Sequence, residues 1–345
     1  MPWPVNSIIM TLWQHLLRPP WRTLLLLIAI LGVISLGHVL WSPGASVRDG
    51  RHDLRTNGIW LQHGWLGDDG WFRQNGRDTA VFRDDKRMEA LAGHLADHGV
   101  KYVFPHLCPC APSGKIAPVD PVQTERFLDH FAGFQVVPWI GGAFHIHCSP
   151  DSPRWRSVFV ASVVDLLAAH PRLAGVQLNI EPMPTGNPGY LILLEDLRKA
   201  MPAGKLLSVA AYPPPTRWHP FPDFHWDEED FKQVARRSDQ LVPMMYDTSL
   251  RLPKIYQHLM SSWTSEILAW AGDTQVLLGI PAYDDAGVGY HFPDVENLPN
   301  ALAGIHAGLD GHKPLPRNYA GVAIYCEWEM DPQEWDYLKK EFSRP

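Results

Sequence analysis

Short apolar runs alternate with amphipathic stretches from about residue 57 to the end of the chain, at a spacing of roughly 37 residues. The apolar runs predict eight β-strands: Gly58–Trp65, Lys101–His106, Gln135–Ile140, Ala174–Glu181, Leu206–Tyr212, Gln240–Asp247, Gln275–Tyr283 and Ala320–Trp328. The stretches between and after them predict eight helices: Arg83–His98, Pro121–Phe131, Arg154–His170, Gly189–Ala200, Glu228–Arg237, Pro253–Ala271, Val295–Leu309 and Pro332–Phe342. Apolar strands that alternate with helices are typical of a parallel sheet covered by helices.

Eight such units within about 290 residues favour an α/β fold of the (β/α)8 TIM-barrel type over residues 57–345. A doubly wound open sheet is the alternative, but no Gly-rich phosphate-binding motif follows the first strand. In a barrel of this type the functional groups lie at the carboxyl ends of the strands and in the loops after them.

A second pattern precedes the barrel. Residues 23–41 form an almost uninterrupted apolar run, which has the length that a helix needs to cross a bilayer, and Trp21 and Trp41 lie at its ends as interfacial anchors would. The sequence therefore predicts an N-terminal segment (1–22), a transmembrane signal anchor (23–41) and a polar stalk (42–56). We expect the barrel to be extracytoplasmic, either periplasmic or extracellular.

The alternative for the apolar run is a cleaved signal peptide, because Arg18 and Arg22 precede it. The run is longer than a typical signal core, and the Ser-Pro-Gly-Ala that follows is a poor cleavage site. Arg48, Arg51 and Arg55 follow the span, so the positive charges do not fix its orientation.

Composition narrows the class of ligand. The formal net charge is −7 with no basic block, which argues against nucleic acid as a partner. The chain has 15 Trp and 10 Tyr, whose flat faces suit stacking on sugar rings, although large aromatic residues also fill cores. Candidate sugar-binding residues at or after strand ends are Trp65, Trp139, Tyr212, Trp218, Tyr283 and Trp328.

The fourth predicted strand, Ala174–Glu181, carries the strongest candidate site. Side chains alternate along a strand, so one face holds apolar residues, and Gln177, Asn179 and Glu181 share the face that points into the barrel. Three inward polar side chains in succession cost desolvation unless they form an internal hydrogen-bond network or a functional site. We favour a functional site.

The same strand resembles the strand-four signature of family 18 glycoside hydrolases, the chitinases and endo-N-acetylglucosaminidases, which reads Asp-Gly-x-Asp-x-Asp-x-Glu. The sixth strand ends in Met244-Met-Tyr246-Asp247, which is similar to the family's Met-x-Tyr-Asp. The seventh ends in Gly279-Ile-Pro-Ala-Tyr283, which is similar to its Gly-x-Pro-x-Tyr, and Trp328 ends the eighth. The resemblance covers the whole barrel in order.

The resemblance implies a role for each matched residue. Glu181 corresponds to the catalytic acid and base, Asn179 to the group that orients the substrate's 2-acetamido substituent, and Tyr246 and Asp247 to further contacts of the acetamide. Trp328 corresponds to the stacking floor beneath the sugar. The acetamide oxygen is itself the nucleophile in that family, so the expected reaction is substrate-assisted hydrolysis of a glycan that contains N-acetylated amino sugars, with no cofactor.

This sequence departs from the family signature at Gln177 and Asn179, where the family has two Asp residues. An Asn can accept a hydrogen bond from the acetamide N–H but supplies no negative charge; the related family 85 enzymes have such an Asn-x-Glu pair. We expect Asn179→Asp to shift the acid limb of the pH–rate profile.

Two other functions stay open at the level of sequence. One is a carbohydrate-binding barrel without catalysis, which the two departures make plausible. The other is a retaining glycosidase with two carboxylates, Glu181 and Glu327, the pair being about 5 Å apart in such enzymes.

Three cysteines follow the second and third strands, on one rim of the barrel. Outside the cytoplasm, Cys148 is expected to form a disulfide with Cys108 or Cys110. The nearby His106, His145 and His147 could instead complete a zinc site, but their spacing matches no zinc template and no metal is predicted.

Overall fold

The computed structural model describes residues 20–217, 219, 221–285, 287 and 289–344, which divide into two compact units at Ser42 and Pro43. The first unit contains one described helix, α1 (Pro20–Leu40), whose side chains are exposed along its length where they are described. A helix of 21 residues spans about 30 Å, and α1 is long and apolar enough to cross a membrane. A signal sequence has the same properties.

The second unit consists of parallel strands that alternate with helices at all but one position. The strands are β1 (Asn57–Leu61), β2 (Val100–Pro105), β3 (Gln135–Val136), β4 (Trp139–Ala143), β5 (Gly175–Glu181), β6 (Leu206–Ala211), β7 (Gln240–Pro243), β8 (Gln275–Pro281) and β9 (Tyr319–Tyr325). The α-helices are α2 (Gly70–Gln74), α3 (Asp85–Asp97), α4 (Pro121–His130), α5 (Pro153–Ala169), α6 (Pro188–Ala200), α7 (Glu228–Ala235), α8 (Pro253–Trp270), α9 (Leu298–Asp310) and α10 (Pro332–Glu341), with a 3-10 turn at Ala80–Arg83.

The nine strands form one curled parallel sheet in the order β3-β2-β1-β9-β8-β7-β6-β5-β4. Its two ends, β3 and β4, are separated in sequence only by Val137 and Pro138, so together they occupy one strand position, that of the predicted Gln135–Ile140. Pro138 has no N–H to donate, and its carbonyl accepts a bond from Gln177 of β5. The sheet is therefore barrel-like with eight strand positions, as predicted.

Local sequence signals set the start of most helices. Seven begin at a residue whose side chain accepts a bond from a backbone N–H of the first turn: Asp84, Asp120, Ser152, Asn187, Asp227, Asn297 and Asp331. Such a cap satisfies a donor that the helix itself leaves unpaired. All eight predicted helices are present, with ends within about three residues of the predicted ones.

Strand alternation divides the core into two parts. Val176, Leu178 and Ile180 are buried between β5 and the helices. A second cluster fills the interior of the barrel, where aromatic rings from β1, β2 and β4 meet small residues of β9. In the same interior, hydrogen bonds run from Trp60 Nε1 to Gln177, from Gln177 to Ser208, from Ser208 to Gln240 and from Gln240 to Gln275.

The segment that the sequence predicts as a stalk packs on the barrel from Pro43 onward. His52 and Asp53 are buried. Asp53 accepts a bond from the backbone N–H of Arg344, and His52 Nδ1 lies 2.8 Å from Nδ1 of His306 in α9. The composition of residues 42–56 is polar, and these distant partners satisfy the polar side chains of His52 and Asp53, which allows that part of the segment to be buried.

Candidate active site

A cavity of about 280 Å3 opens at the carboxyl ends of the strands. It is lined by Trp60, Trp139, Asn179, Glu181, Met244, Tyr246, Asp247, Tyr283, Asp285, Tyr290, Tyr325, Cys326, Trp328 and Glu329. The larger cavity of about 510 Å3 lies at the amino ends of β5 and β6, near Arg198 and Lys205, and contains none of the candidate site residues. The first cavity is therefore the candidate site, in the position where barrels of this kind hold their chemistry.

Glu181 and Asn179 lie together at the end of β5. The Asn179 amide Nδ2 donates to Glu181 Oε1 at 2.6 Å, and Tyr212 OH donates to Glu181 Oε2 at 3.4 Å. Glu181 is exposed to the solvent of the cavity, and the surrounding protein groups partly desolvate its carboxyl group. This desolvation raises the pKa of Glu181; the bonds from Asn179 and Tyr212 oppose the shift, and the charge of Asp247 adds to it. A raised pKa favours the protonated form of the carboxyl group, which can donate a proton.

The side-chain oxygen of Asn179, Oδ1, is buried and has no hydrogen-bond partner. Trp139 Nε1 in the same cavity is also buried and unbonded. Buried polar groups are normally paired, so these two mark an acceptor and a donor position for a bound molecule.

The backbone of β4 holds this strand end in place. Gly141 lies opposite Asn179 in the sheet and Ala143 opposite Glu181, and Phe144 N donates to the Glu181 carbonyl. A Cβ atom on Gly141 would lie 1.9 Å from the Asn179 carbonyl oxygen, and its φ is +129°. Only glycine fits there, because any side chain would push β4 away from the Asn179–Glu181 segment.

Asp247 and Tyr283 come from the loops after β7 and β8. Tyr283 OH donates to Asp247 Oδ1, and the Tyr283 ring lies edge-on to Tyr246 at 6.0 Å. Asp247 has φ +62°, in the left-handed region that residues other than glycine rarely adopt. Uncommon backbone conformations of this sort concentrate at functional sites.

Tyr325, which the sequence analysis did not single out, has more ring contacts than any other lining residue among those described. Its ring packs at 5.2 to 6.2 Å from Trp60, Trp139, Tyr246, Tyr283 and Trp328, nearly parallel to Tyr246. Trp328 also lines the cavity but lies beyond the end of β9. Alternation from the outward Val322 and Ile324 would have predicted that Tyr325 points inward.

Several predicted site residues lie elsewhere. Gln177 belongs to the hydrogen-bonded row inside the barrel and does not line the cavity. Trp65 packs on Phe82 and Phe127 in the outer core, because β1 ends at Leu61 and the chain has turned away by residue 65. Trp218 lies outside the described residues.

Glu327 does not line the cavity either. Burial raises the pKa of its carboxyl group to about 7, and one carboxyl oxygen has no partner. Because Glu327 lies outside the cavity, it is not placed to act with Glu181 as a second catalytic carboxylate.

The predicted cysteine cluster separates into a pair and a single thiol. Cys110 Sγ lies 3.6 Å from Cys148 Sγ, both as free thiols, whereas Cys108 Sγ contacts the Trp139 carbonyl. The nearby histidines form no metal-ligand group with them within the described part of the chain. Elsewhere in that part of the chain, side-chain atoms of Asp247, His291 and Glu296 lie within 4.8 Å of one another.

No family model and no curated protein sequence matches the chain. Solved structures do resemble it, among them the C-terminal domain of a proposed chitinase from Desulfitobacterium hafniense (TM-score 0.56, 16% identity, 82% of this chain and 97% of that one). The spore cortex-lytic enzyme SleL of Bacillus cereus matches at TM-score 0.53 and 12% identity over 84% of this chain and 74% of its own. A fungal endo-β-N-acetylglucosaminidase of glycosyl hydrolase family 18 matches at TM-score 0.51 and 15% identity over 83% and 96%.

These likenesses establish the fold. The chain has a barrel similar to those of these glycosidases, the fold that the strand-end motifs predict.

Proposed function

We propose that this protein is a glycoside hydrolase acting on a glycan that contains N-acetylated amino sugars. Glu181 is the general acid and base in this proposal, and the substrate's own acetamide oxygen is the nucleophile. The fold supports the class of enzyme, and the cavity supplies a carboxyl group with a raised pKa surrounded by aromatic rings.

The geometry of Asn179 carries the proposal. Its Nδ2 is committed to Glu181, which leaves Oδ1 as a buried acceptor without a partner. An unsatisfied buried acceptor costs about 1–3 kcal/mol, which a ligand donor such as an acetamide N–H would relieve. An acetamide whose N–H donates to Asn179 Oδ1 would have its carbonyl oxygen next to the anomeric carbon. Glu181 would protonate the glycosidic oxygen on that carbon.

The proposed reaction proceeds in two steps. The acetamide oxygen forms a bond to the anomeric carbon while the glycosidic oxygen leaves with the proton of Glu181. Glu181 then accepts a proton from water as the water oxygen opens the cyclic intermediate, and the anomeric configuration is retained. Tyr246 and Asp247, which line the same cavity, contact the acetamide, and Tyr325 lies beneath the sugar.

The test uses the full chain in detergent micelles with chitooligosaccharides and peptidoglycan fragments. We expect hydrolysis with retention of configuration, abolished in Glu181→Gln while ligand binding persists. Glu327→Gln is the matched control, because it removes a buried carboxyl group outside the cavity, and it should leave activity within a few-fold.

Other outcomes would point to other functions. Binding without turnover that depends on Glu181 would identify a carbohydrate-binding barrel. Hydrolysis of glycans that lack the acetamide would refute substrate assistance.

We also propose that α1 is an uncleaved membrane anchor and that the barrel is extracytoplasmic. The apolar length of Thr23–Leu40 and the exposure of its side chains support this. The chain should stay with membranes after alkaline carbonate extraction, and N-terminal sequencing of a processed form that begins after residue 40 would show a cleaved signal peptide instead.

A further inference from the structure

His291 lies in the loop between β8 and α9 and is 1% exposed. Its ring stacks on that of Tyr283 at 3.9 Å, and its Nε2 lies 2.9 Å from the Tyr283 carbonyl oxygen. A carbonyl oxygen only accepts, so Nε2 carries the hydrogen of this bond. In a neutral His291, the other nitrogen, Nδ1, would therefore present a lone pair.

That nitrogen faces two carboxylates. Nδ1 lies 3.3 Å from Asp247 Oδ1 and 3.7 Å from Glu296 Oε2, and as a neutral atom it has no hydrogen-bond partner. A lone pair directed at two negative groups in a buried site is repulsive, whereas a proton on Nδ1 makes both contacts attractive. Burial by itself lowers the pKa of His291, but Asp247 and Glu296 more than offset this and raise it to about 9.

Among the described contacts, the other partners of this group are neutral or negative. Glu296 is 1% exposed and accepts from Thr248 N at 3.1 Å to each oxygen. Tyr256 donates to the Met245 carbonyl; burial and the charges of Glu296 and Asp247 raise its pKa, so it stays neutral.

Two side chains complete these surroundings. Tyr283, whose pKa burial and Asp247 also raise, donates to Asp247. Arg251 lies over the ring of Phe292, the next residue in the chain, and no ion pair joins it to these carboxylates among the described contacts.

We propose that His291 is a positioning residue that holds a proton between Asp247 and Glu296 and thereby fixes the Asp247 side chain in the wall of the active-site cavity. This role rests on the proposed function, since Asp247 is the group placed against the substrate. Asp247 is one-third exposed, at 34%, and its left-handed backbone is uncommon, so it depends on its side-chain partners to stay in place.

A divalent cation bound by the same three atoms is the competing interpretation. A proton accounts for the site more simply, because Asp247 Oδ1 already accepts from Tyr283 and both oxygens of Glu296 already accept from Thr248. One added positive charge on the imidazole completes the hydrogen bonding.

The first measurement is independent of any activity. Two-bond proton–nitrogen NMR of the full chain in micelles, with His291→Gln to assign the signal, reports whether each ring nitrogen carries a proton. We expect both nitrogens of His291 to be protonated at pH 7, an apparent pKa at least one unit above the usual 6.5, and a decrease of a unit or more in Glu296→Gln. A lone pair on Nδ1 at pH 7, or a signal that shifts with Zn2+ and returns with a chelator, would overturn the proposal.

The second measurement tests positioning. Glu181→Gln removes the titrating acid, so the pH dependence of its affinity for a chitooligosaccharide reports on the cavity wall. We expect the dissociation constant to rise several-fold above about pH 9 and this step to vanish when His291→Gln is added. His170→Gln removes a buried histidine that contacts the exposed Glu125 and does not line the cavity; it is the matched control and should keep the step.

The two measurements separate the proposals. If no glycan binds or is cleaved, the proposed function fails, and the NMR result alone still decides the protonation of His291. If glycans bind but the step persists without His291, the positioning role is refuted while the function stands.

Discussion

Replacing Asn179 with Asp would put a second carboxyl group against the proposed acid. The Asn179 amide nitrogen lies 2.6 Å from Glu181 Oε1, so the new oxygen would occupy a position where two negative charges cannot both be accommodated. At an effective dielectric constant of 20, two charges about 4 Å apart repel by about 4 kcal/mol, equivalent to about 3 pKa units. The cavity is open to solvent and the side chain can rotate, so we expect an effect of about 1–2 units.

Two changes in the pH profile follow. The alkaline limb, which reports loss of the proton from Glu181, should move up by about 1–2 pH units, because the substitution adds repulsion and removes the N–H bond that now opposes the raised pKa. A second ionisation should appear on the acid limb, because the two neighbouring carboxyl groups of the variant are active only when they share one proton.

The assay is kcat/KM between pH 3 and about pH 10 for a fluorogenic chitooligosaccharide with the full chain in micelles. Asn187→Asp is the matched control: the change is the same, but Asn187 caps α6 outside the cavity, and Asp caps helices as well as Asn. A profile of Asn179→Asp that overlays those of wild type and control would refute the account of this pair.

Two further predictions concern the cavity and its rim. Tyr325→Leu should weaken binding of a chitooligosaccharide about 10-fold, and more than Trp328→Leu, because Tyr325 lies at the centre of the aromatic contacts. Titration calorimetry measures both affinities, and the opposite order would contradict this assignment. Oxidised glutathione should link Cys110 to Cys148 with loss of two hydrogens, detected by mass spectrometry of peptides, and Cys108→Ser should not prevent it; a bond to Cys108 would show that the pairing is different.

The regular elements were accessible from the sequence because their signals are local. Apolar runs indicate the strands, and capping residues such as Asp331 indicate where helices begin. Each of these signals is contained within a few consecutive residues. The alternation along β5 also places Asn179 and Glu181 together, since it depends only on neighbouring residues in one strand.

The errors arise where a strand ends or where a partner is distant in sequence. Trp65 and Trp328 were assigned to strands that stop at Leu61 and Tyr325, and alternation has no meaning beyond those ends. His291 contacts Asp247 from 44 positions along the chain, so no local pattern indicates that they meet. Contacts between residues so far apart in sequence depend on the tertiary packing of the chain.

The hydrogen-bonded row inside the barrel has a direction. Trp60 can only donate, so Gln177 accepts from Trp60 and donates to Ser208. Ser208 in turn donates to Gln240, which donates to Gln275. The orientation of each of the five side chains therefore depends on its neighbours in the row. In an alignment of homologues, loss of the indole at position 60 should be accompanied by replacement of the glutamine at position 177, whereas surface positions of the same strands should vary independently.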